Sequence, residues 1–364
     1  MTVRVVLTMM VRDEADVIAA TIEHHLAEGV DRILVTDNAS VDGTREILAD
    51  YARVAPVTVF DDPEHRKQQA EVVTRMARLA ATEHGADWVV NGDADEFVLA
   101  GERTVAEALA SAPTAIGSFH VPVRNLVGPT ARSGSGLATR MHWRDERAPQ
   151  QLEAAGVQAH PTPNAIHAAD PHVEVAQGNH FVSTPQRGEA ADAFGLEVLH
   201  VPWRSWQQFE RKTINMGRGY EASPSLDPSP NHHGMRDWRR WKAGILLPFY
   251  LARTPVADGD FGEGFVRDDR LAARLAALPA VLPDRLAEAV DAERDAPFEP
   301  AEVRELLDRE RQLHALDEAF HAEVAGEIAR RQALERRAIT PERLVRGARR
   351  VAGRAGAAIR RIRR

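Results

Sequence analysis

The sequence predicts an α/β fold: a Rossmann-like, mostly parallel sheet flanked by helices, with a helical C-terminal extension. Three observations predict it. Over roughly the first 90 residues short apolar runs alternate with segments of helical period, each apolar run breaks off into a polar cluster, and from Asp268 to Arg337 the chain is Ala-, Glu-, Arg- and Leu-rich, where short helices are expected. Strands alternating with helices are the signature of parallel βαβ units, whose ligands sit beyond the carboxyl ends of the strands.

The first strand is Val3-Arg-Val-Val-Leu-Thr-Met-Met10, ending in Val11-Arg-Asp-Glu14. From Glu14 to Glu28, Val17, Ile18, Ile22 and Leu26 keep a helical period, and Gly29 stops it. Arg32 to Thr36 is a second strand, broken by the turn-rich octet Asp37-Asn-Ala-Ser-Val-Asp-Gly-Thr44, which leads into a helix from Arg45 to Tyr51. Val57 to Phe60 is a third strand, Gln68 to His84 a helix, and Asp87 to Val90 a fourth strand.

That fourth strand delivers Asn91-Gly-Asp-Ala-Asp-Glu-Phe97, three acids within four residues. Carboxylates two apart, at Asp93 and Asp95, can converge on a hard divalent cation that keeps positions open for phosphates. A solvated acidic turn is the plainer reading of the segment by itself. Arg12 to Glu14, Asp37 to Asp42 and Asp93 to Glu96 all follow strands, so the topology brings them to one rim. No Gly-x-Gly-x-x-Gly follows the first strand, which argues against a dinucleotide domain.

Met10-Val-Arg-Asp-Glu14, the octet and Asp93-Ala-Asp-Glu-Phe97, in this order and spacing, resemble family 2 glycosyltransferases of the branch with an Asp-Ala-Asp-Glu-Phe metal motif, over roughly residues 1 to 220. The resemblance implies a GT-A fold, an inverting mechanism, a nucleotide-diphosphate sugar donor, and Mn²⁺ or Mg²⁺ as cofactor. The expected acceptor is a hydroxyl on a glycan or a lipid-linked molecule. Two rivals stand beside this reading. A sugar nucleotidyltransferase shares the sheet and the acids but needs a Gly-rich loop bearing Lys or Arg after its first strand, which Met9 to Glu14 lacks. A catalytically silent carbohydrate- or membrane-binding protein keeps the fold without the chemistry.

The resemblance also implies roles. Asp37 is expected to accept hydrogen bonds from the nucleobase or ribose; an Asx turn supporting the octet is the structural alternative. Asp42-Gly43-Thr44 reads as turn and cap chemistry. Arg12 either forks onto phosphate or balances Asp13 and Glu14, and Glu14 is placed with it on the donor side. Asp95 is expected to ligate the metal directly, with Asp93 binding ribose or metal and Glu96 behind them. A late histidine completes the metal shell in GT-A enzymes, and His200 and His180 are the candidates. Arg204 and Lys212, at and within a helical stretch from Ser205 to Tyr220, either hold the diphosphate or line a solvated face. Inversion needs a carboxylate base. Glu174 is preferred over Asp170, Asp192 and Glu146 because it lies in Val173-Glu-Val175, just before Gly178-Asn-His180; the Glu-Asp pair that many relatives carry has no clear counterpart.

Between Phe97 and about Gly195 helical periods fade. Gly117 to Val123 alternates like a strand, and Arg132-Ser-Gly-Ser-Gly136 reads either as a loop that closes over the donor or as plain exposed chain. His142, His160, His167, His172, His180 and His200 are dense, but no pair has His-x-x-x-His spacing and there are no cysteines, so a structural zinc is not expected.

Three regions are expected: 1–222 as the GT-A domain, 223–335 as a helical extension, and 336–364 as a basic amphipathic tail. Ser223-Pro-Ser-Leu-Asp-Pro-Ser-Pro230 marks the first boundary. Trp238 to Leu251 is apolar but too short, and too interrupted by Pro248, to span a membrane. Residues 336–364 hold eleven Arg and one acid, about +10, which leaves about −18 on the rest of a chain whose total is −8. Thr340-Pro341-Glu342 is a good helix start, and over 340–364 the apolar residues share one face, which suits an anionic membrane surface; a frayed, solvated tail is the plainer alternative. No nucleic-acid partner is expected, since aromatic interleaving is absent. Zero Cys and a strand pattern that begins at once fit a cytoplasmic protein without a signal peptide, and the basic tail adds peripheral attachment to the inner face of the membrane as an option.

Overall fold

The computed structural model describes residues 3–66, 68–157, 159–223, 228–230, 232–254 and 261–337. The expected tail helix over 340–364 lies outside the described residues. Two compact units divide the chain, one of Met1–Asp227 with His233–Gln312 and one of Pro228–His232 with Leu313–Arg364.

In the first unit the chain runs through β1 (Val5–Val11), α1 (Ile18–Ala27), β2 (Arg32–Asp37), α2 (Thr44–Val54), β3 (Val57–Asp61), α3 (Gln69–Thr82) and β4 (Trp88–Asn91). Next come β5 (Glu96–Ala100), α4 (Val105–Ala110), β6 (Ser118–Val121), β7 (Val123–Val127), β8 (Trp143–Asp145), α5 (Pro149–Ala154), β9 (Asn164–Ala168) and β10 (Leu196–His200). The remainder is α6 (Trp206–Glu221), α7 (His233–Lys242), α8 (Leu246–Leu251), β11 (Phe265–Arg267), α9 (Arg270–Ala277) and α10 (Pro283–Ala289), followed by α11 (Pro300–Arg337), which passes into the second unit.

One sheet has the order β3-β2-β1-β4-β9-β6, parallel from β3 to β4 and antiparallel at β9 and β6. The parallel strands explain their own apolar runs. Val5, Leu7 and Met9 of β1, Ile33 and Val35 of β2, and Trp88 and Val90 of β4 join a core that includes Ile18 and Ile22 of α1. The alternate residues Val6, Leu34 and Val89 join a second core with Val73 and Met76 of α3. Successive side chains point to opposite faces, so a strand covered on both sides must be apolar throughout. Each such buried Val, Leu or Ile contributes about 1.5–3 kcal/mol.

The antiparallel β9 and β6 are where the sheet departs from a purely parallel one. The second sheet, β11-β8-β7-β10-β5, begins directly after the acidic turn. There β10 lies antiparallel to β5, with His200 opposite Glu96, and parallel to β7, with His200 opposite Asn125. Register therefore brings a late histidine beside the acids.

Two expectations are corrected. Arg132 to Gly136 is neither a closing loop nor free chain: Ser135 Oγ donates to Ala289 O at 2.5 Å, Gly136 N donates to Asp295 Oδ1 at 3.1 Å, and Arg132 pairs with Glu302 at 2.5 Å. Gly134 and Gly136 have positive φ, and a side chain at Gly134 would collide with Asp295. The short helices expected throughout 268–337 are present only as α9 and α10, since α11 is one helix of 38 residues. Its charges fall three and four apart, as in Asp308–Arg311 and Arg331–Glu335, which supports a helix with little apolar patterning. Among the described residues no helix is long and apolar enough to cross a membrane.

Candidate functional site

The strand order reverses direction between β1 and β4, and the loops leaving their carboxyl ends part there to form a cleft. The cleft encloses about 190 Å³ and is lined by Arg12 and Glu14 after β1, Asn38 after β2, Arg66, Gln68 and Gln69 before and in α3, Asp93 and Asp95 after β4, and Lys212 and Asn215 of α6.

The loop after β1 is shaped by the octet. Asp13 adopts φ +57, a left-handed conformation that Asp tolerates better than most side chains. Its carboxylate accepts from Val41 N and Asn215 Nδ2, both at 2.8 Å, and its own N–H donates to Ser40 Oγ at 2.9 Å. Glu14 N donates to Thr44 Oγ1 and Ala15 N to Asp42 Oδ2, at 2.8 and 3.1 Å. Ser40, Asp42 and Thr44 of the octet thus hold the backbone of the neighbouring loop. Arg12 is held over Asn38 O at 2.5 Å, and its buried Nε makes no hydrogen bond.

Asp95 lies at the floor, 1 % exposed. Its Oδ2 is approached by Lys212 Nζ at 2.5 Å and by His200 Nε2 and Arg204 Nη1, each at 3.5 Å. Burial alone would raise its pKa; Lys212, His200 and Arg204 more than offset that and hold the carboxyl well below the usual range. His200 Nδ1 meets Asn125 Oδ1 at 2.9 Å, an arrangement in which Nδ1–H donates to the amide oxygen and Nε2 is turned toward Asp95.

Asp93 is fixed by two amides: Gln69 Nε2 at 2.7 Å and Asn179 Nδ2 at 3.0 Å, both donating to Oδ1. Glu96 folds back beneath it, accepting from Asp93 N at 2.9 Å and from Asn164 Nδ2 at 2.7 Å. Burial first, then the charge of Asp93, pushes Glu96 up to about 7. His180 Nδ1 joins the same chain through Asn164 Oδ1 at 3.1 Å. Burial also pushes Glu14 up to about 7, against the pull of Arg204.

The structure brings Arg12, Glu14, Asp93, Asp95, His200 and Lys212 together, with His180 one hydrogen-bonded amide behind Glu96. Three expectations change. Arg204 is fully buried and binds Asp16, Glu14 and Val201 O at 2.7, 2.5 and 3.2 Å. Its fork braces the acids from behind, so it is not placed to clasp a diphosphate. Asp37 is also fully buried: its carboxylate accepts from Ser40 N and pairs with Arg45, the turn-supporting alternative, while Asn38 takes the place on the cleft wall. Glu174 is exposed beside α3, in a separate groove of about 620 Å³ with Arg75 and Arg78, and does not line the cleft. Its strand-like neighbours could not reveal which side of α3 it would meet.

Gln69, Asn179, Asn164, Asn125, Asn215 and Asp16 were not anticipated. Only Asn179 had a visible signal, the Gly178-Asn-His180 motif, whose Gly178 has φ +85 where any Cβ would press on the His180 ring.

The donor set suits a hard cation. Asp95 and the Nε2 of His200 offer one carboxylate oxygen and one imidazole lone pair, and the ammonium of Lys212 stands where a cation is attracted. Among the described residues no group of three or more His, Asp or Glu forms a cage. Two protein donors are the number expected where phosphates and water complete the shell.

No curated protein matches the chain. Among solved structures, TarS residues 1–349 from S. aureus is 11% identical, covering 85% of this chain and 91% of that one at a TM-score of 0.32. Glucosyl-3-phosphoglycerate synthase from Mycobacterium tuberculosis, solved with Mn²⁺, UDP-glucose and phosphoglyceric acid, is 17% identical over 46% of this chain and 57% of that one at 0.25. Likeness this slight carries nothing over to the site. The sequence carries more: residues 7–147, which include Arg12, Glu14, Asp93 and Asp95, match the family described as Glycosyl transferase family 2.

Proposed function

We propose that the chain transfers a sugar, with inversion, from a nucleoside-diphosphate donor to a hydroxyl acceptor on a glycan or lipid-linked molecule, with Mn²⁺ or Mg²⁺ at Asp95. One observation carries the reading: at the reversal between β1 and β4, an acid with a histidine Nε2 turned toward it faces a cleft whose walls hold Arg12, Arg66 and Lys212. Asp95 and His200 would hold the cation, with Asp93 near the ribose or the metal. A bound divalent cation supplies charge that stabilises the departing diphosphate.

The chain's own groups do the rest. Arg12 and Lys212 neutralise the diphosphate, Gln69 and Asn179 fix the Asp93 carboxylate, and Asn125 keeps His200 Nε2 turned toward Asp95. The acceptor oxygen forms the bond to the anomeric carbon as the bond from that carbon to the diphosphate breaks. The electron pair leaves on the diphosphate, and the acceptor's proton passes to a base. The eleven arginines of 336–364 suit attachment to an anionic membrane surface, where a lipid-linked acceptor would be met.

Thermal-shift titration with UDP- and GDP-sugars, with and without Mn²⁺, tests the reading. Stabilisation by nucleotide sugar should need Mn²⁺ and vanish in Asp95→Asn. A protein indifferent to every nucleotide sugar under both conditions would overturn it.

A further inference from the structure

Two cations, Lys212 and Arg204, and the imidazole of His200 crowd one oxygen of Asp95, and they are not equally free to leave. Arg204 is fully buried and spread over Glu14, Asp16 and Val201 O. His200 is held through Nδ1 by Asn125. Lys212 differs. Its side chain is 38% exposed, it lines the cleft, and Asp95 is its one hydrogen-bond acceptor among the described residues. It also carries its charge on a flexible four-carbon stem with three rotatable donors.

We propose that Lys212 is an exchangeable counter-ion. Its ammonium occupies Asp95 while the cleft lacks donor and moves onto the diphosphate when a divalent cation reaches Asp95, so that cation and nucleotide bind cooperatively. This rests on the metal reading given above and adds to it a coupling between the two ligands and the residue that carries it.

The physical argument has two parts. An ammonium and a divalent cation on one carboxylate oxygen repel strongly at such short range, so a cation arriving alone must detach Lys212 and leave that ammonium without its hydrogen-bonded anion. Nor does the site repay this from protein groups, because only Asp95 and His200 converge there and no three-ligand cage exists among the described residues. A nucleoside diphosphate changes both sides: its oxygens complete the shell of the cation, and its charge gives the displaced ammonium a new partner on the same cleft wall. Each ligand then raises the affinity of the other by the same factor, with Lys212 as the coupling element.

Direct Mn²⁺ binding, followed by the electron paramagnetic resonance of the free ion, tests this on the full chain. Wild type, Lys212→Met, Lys212→Arg and Asp95→Asn are compared with and without UDP, after subtracting the Mn²⁺ that UDP holds by itself. Wild type is expected to bind Mn²⁺ at least tenfold more tightly with UDP than without. Lys212→Met should bind Mn²⁺ alone at least tenfold more tightly than wild type does alone, with little further gain from UDP. Lys212→Arg should retain the weak binding of wild type without nucleotide, because the charge remains. Thermal melting confirms that each variant is folded. If wild type binds Mn²⁺ with UDP and folded Lys212→Met binds Mn²⁺ alone no more tightly than wild type, this proposal falls while the metal reading stands. If no protein binds Mn²⁺ under either condition, the metal reading falls and takes the proposal with it.

Discussion

The side-chain amide of Asn179 donates to Asp93 Oδ1 at 3.0 Å, tying together two turns 86 residues apart. Asn179 is 1 % exposed and has φ +62, a conformation that suits Gly or Asn and costs other residues about 1–2 kcal/mol. Substitutions at this position separate bond from backbone. Asn179→Gly keeps the turn and loses the bond; Asn179→Ala loses the bond and strains the turn. Denaturant unfolding should show a loss of about 2–4 kcal/mol for Asn179→Ala and about 1–2 for Asn179→Gly. Both variants should weaken nucleotide binding to a similar degree, since both release Asp93. Wild-type nucleotide affinity in folded Asn179→Gly would show that this bond does not orient the carboxylate for a ligand.

Legibility in the sequence followed range. The strands β1 to β4 could be read because apolar runs are local and a strand covered on both faces admits little else. Asp95 and His200 could be read as a pair because an acid two residues past Asp93 and a histidine closing a strand are local patterns too. Arg204 and Asp37 show the limit. A charged side chain at the edge of a predicted cleft is an equally good candidate for a ligand or for the protein's own groups, and the Arg204 partners lie 188 and 190 residues away. The amides of Asn125, Asn164 and Asn179 were invisible for a related reason: an isolated Asn has no pattern, and only tertiary register puts it beside a histidine or a carboxylate.

The tail makes a second prediction. Clustered Arg near an anionic bilayer contributes about 1 kcal/mol each at low salt, within a Debye length of the surface. The full chain should therefore co-sediment with phosphatidylglycerol-containing vesicles and not with pure phosphatidylcholine, and should be released by about 0.5 M salt. Combining Arg360→Gln, Arg361→Gln, Arg363→Gln and Arg364→Gln removes four of the eleven tail arginines and should weaken vesicle binding at least tenfold, with metal-dependent nucleotide binding unchanged. Equal sedimentation of wild type and variant would remove the membrane role from the tail.

Acid sensitivity should trace to two adjacent histidines of α1. His24 Nε2 meets Val98 O and His25 Nδ1 meets Thr21 O, each at 2.8 Å, and the rings sit edge to face with centroids 5.0 Å apart. Both are buried. Burial first, then the neighbouring ring and Arg274, holds His24 well below the usual imidazole range, and burial brings His25 down to about 4. In the unfolded chain both titrate near 6.5. Between these values the unfolded state binds more protons than the folded one, so stability must fall as pH drops below about 6.5 and keep falling toward 4. For His25 alone the loss from pH 7 to pH 5 is roughly 2 kcal/mol. Glu14 and Glu96, raised to about 7, act with the opposite sign over the same range, since the folded state keeps their protons. The informative quantity is therefore a difference: the stability lost by wild type between pH 7 and pH 5, less the loss in His25→Gln, should be roughly 2 kcal/mol by denaturant unfolding. Parallel losses in the two proteins would show that the buried imidazole is not what acid attacks.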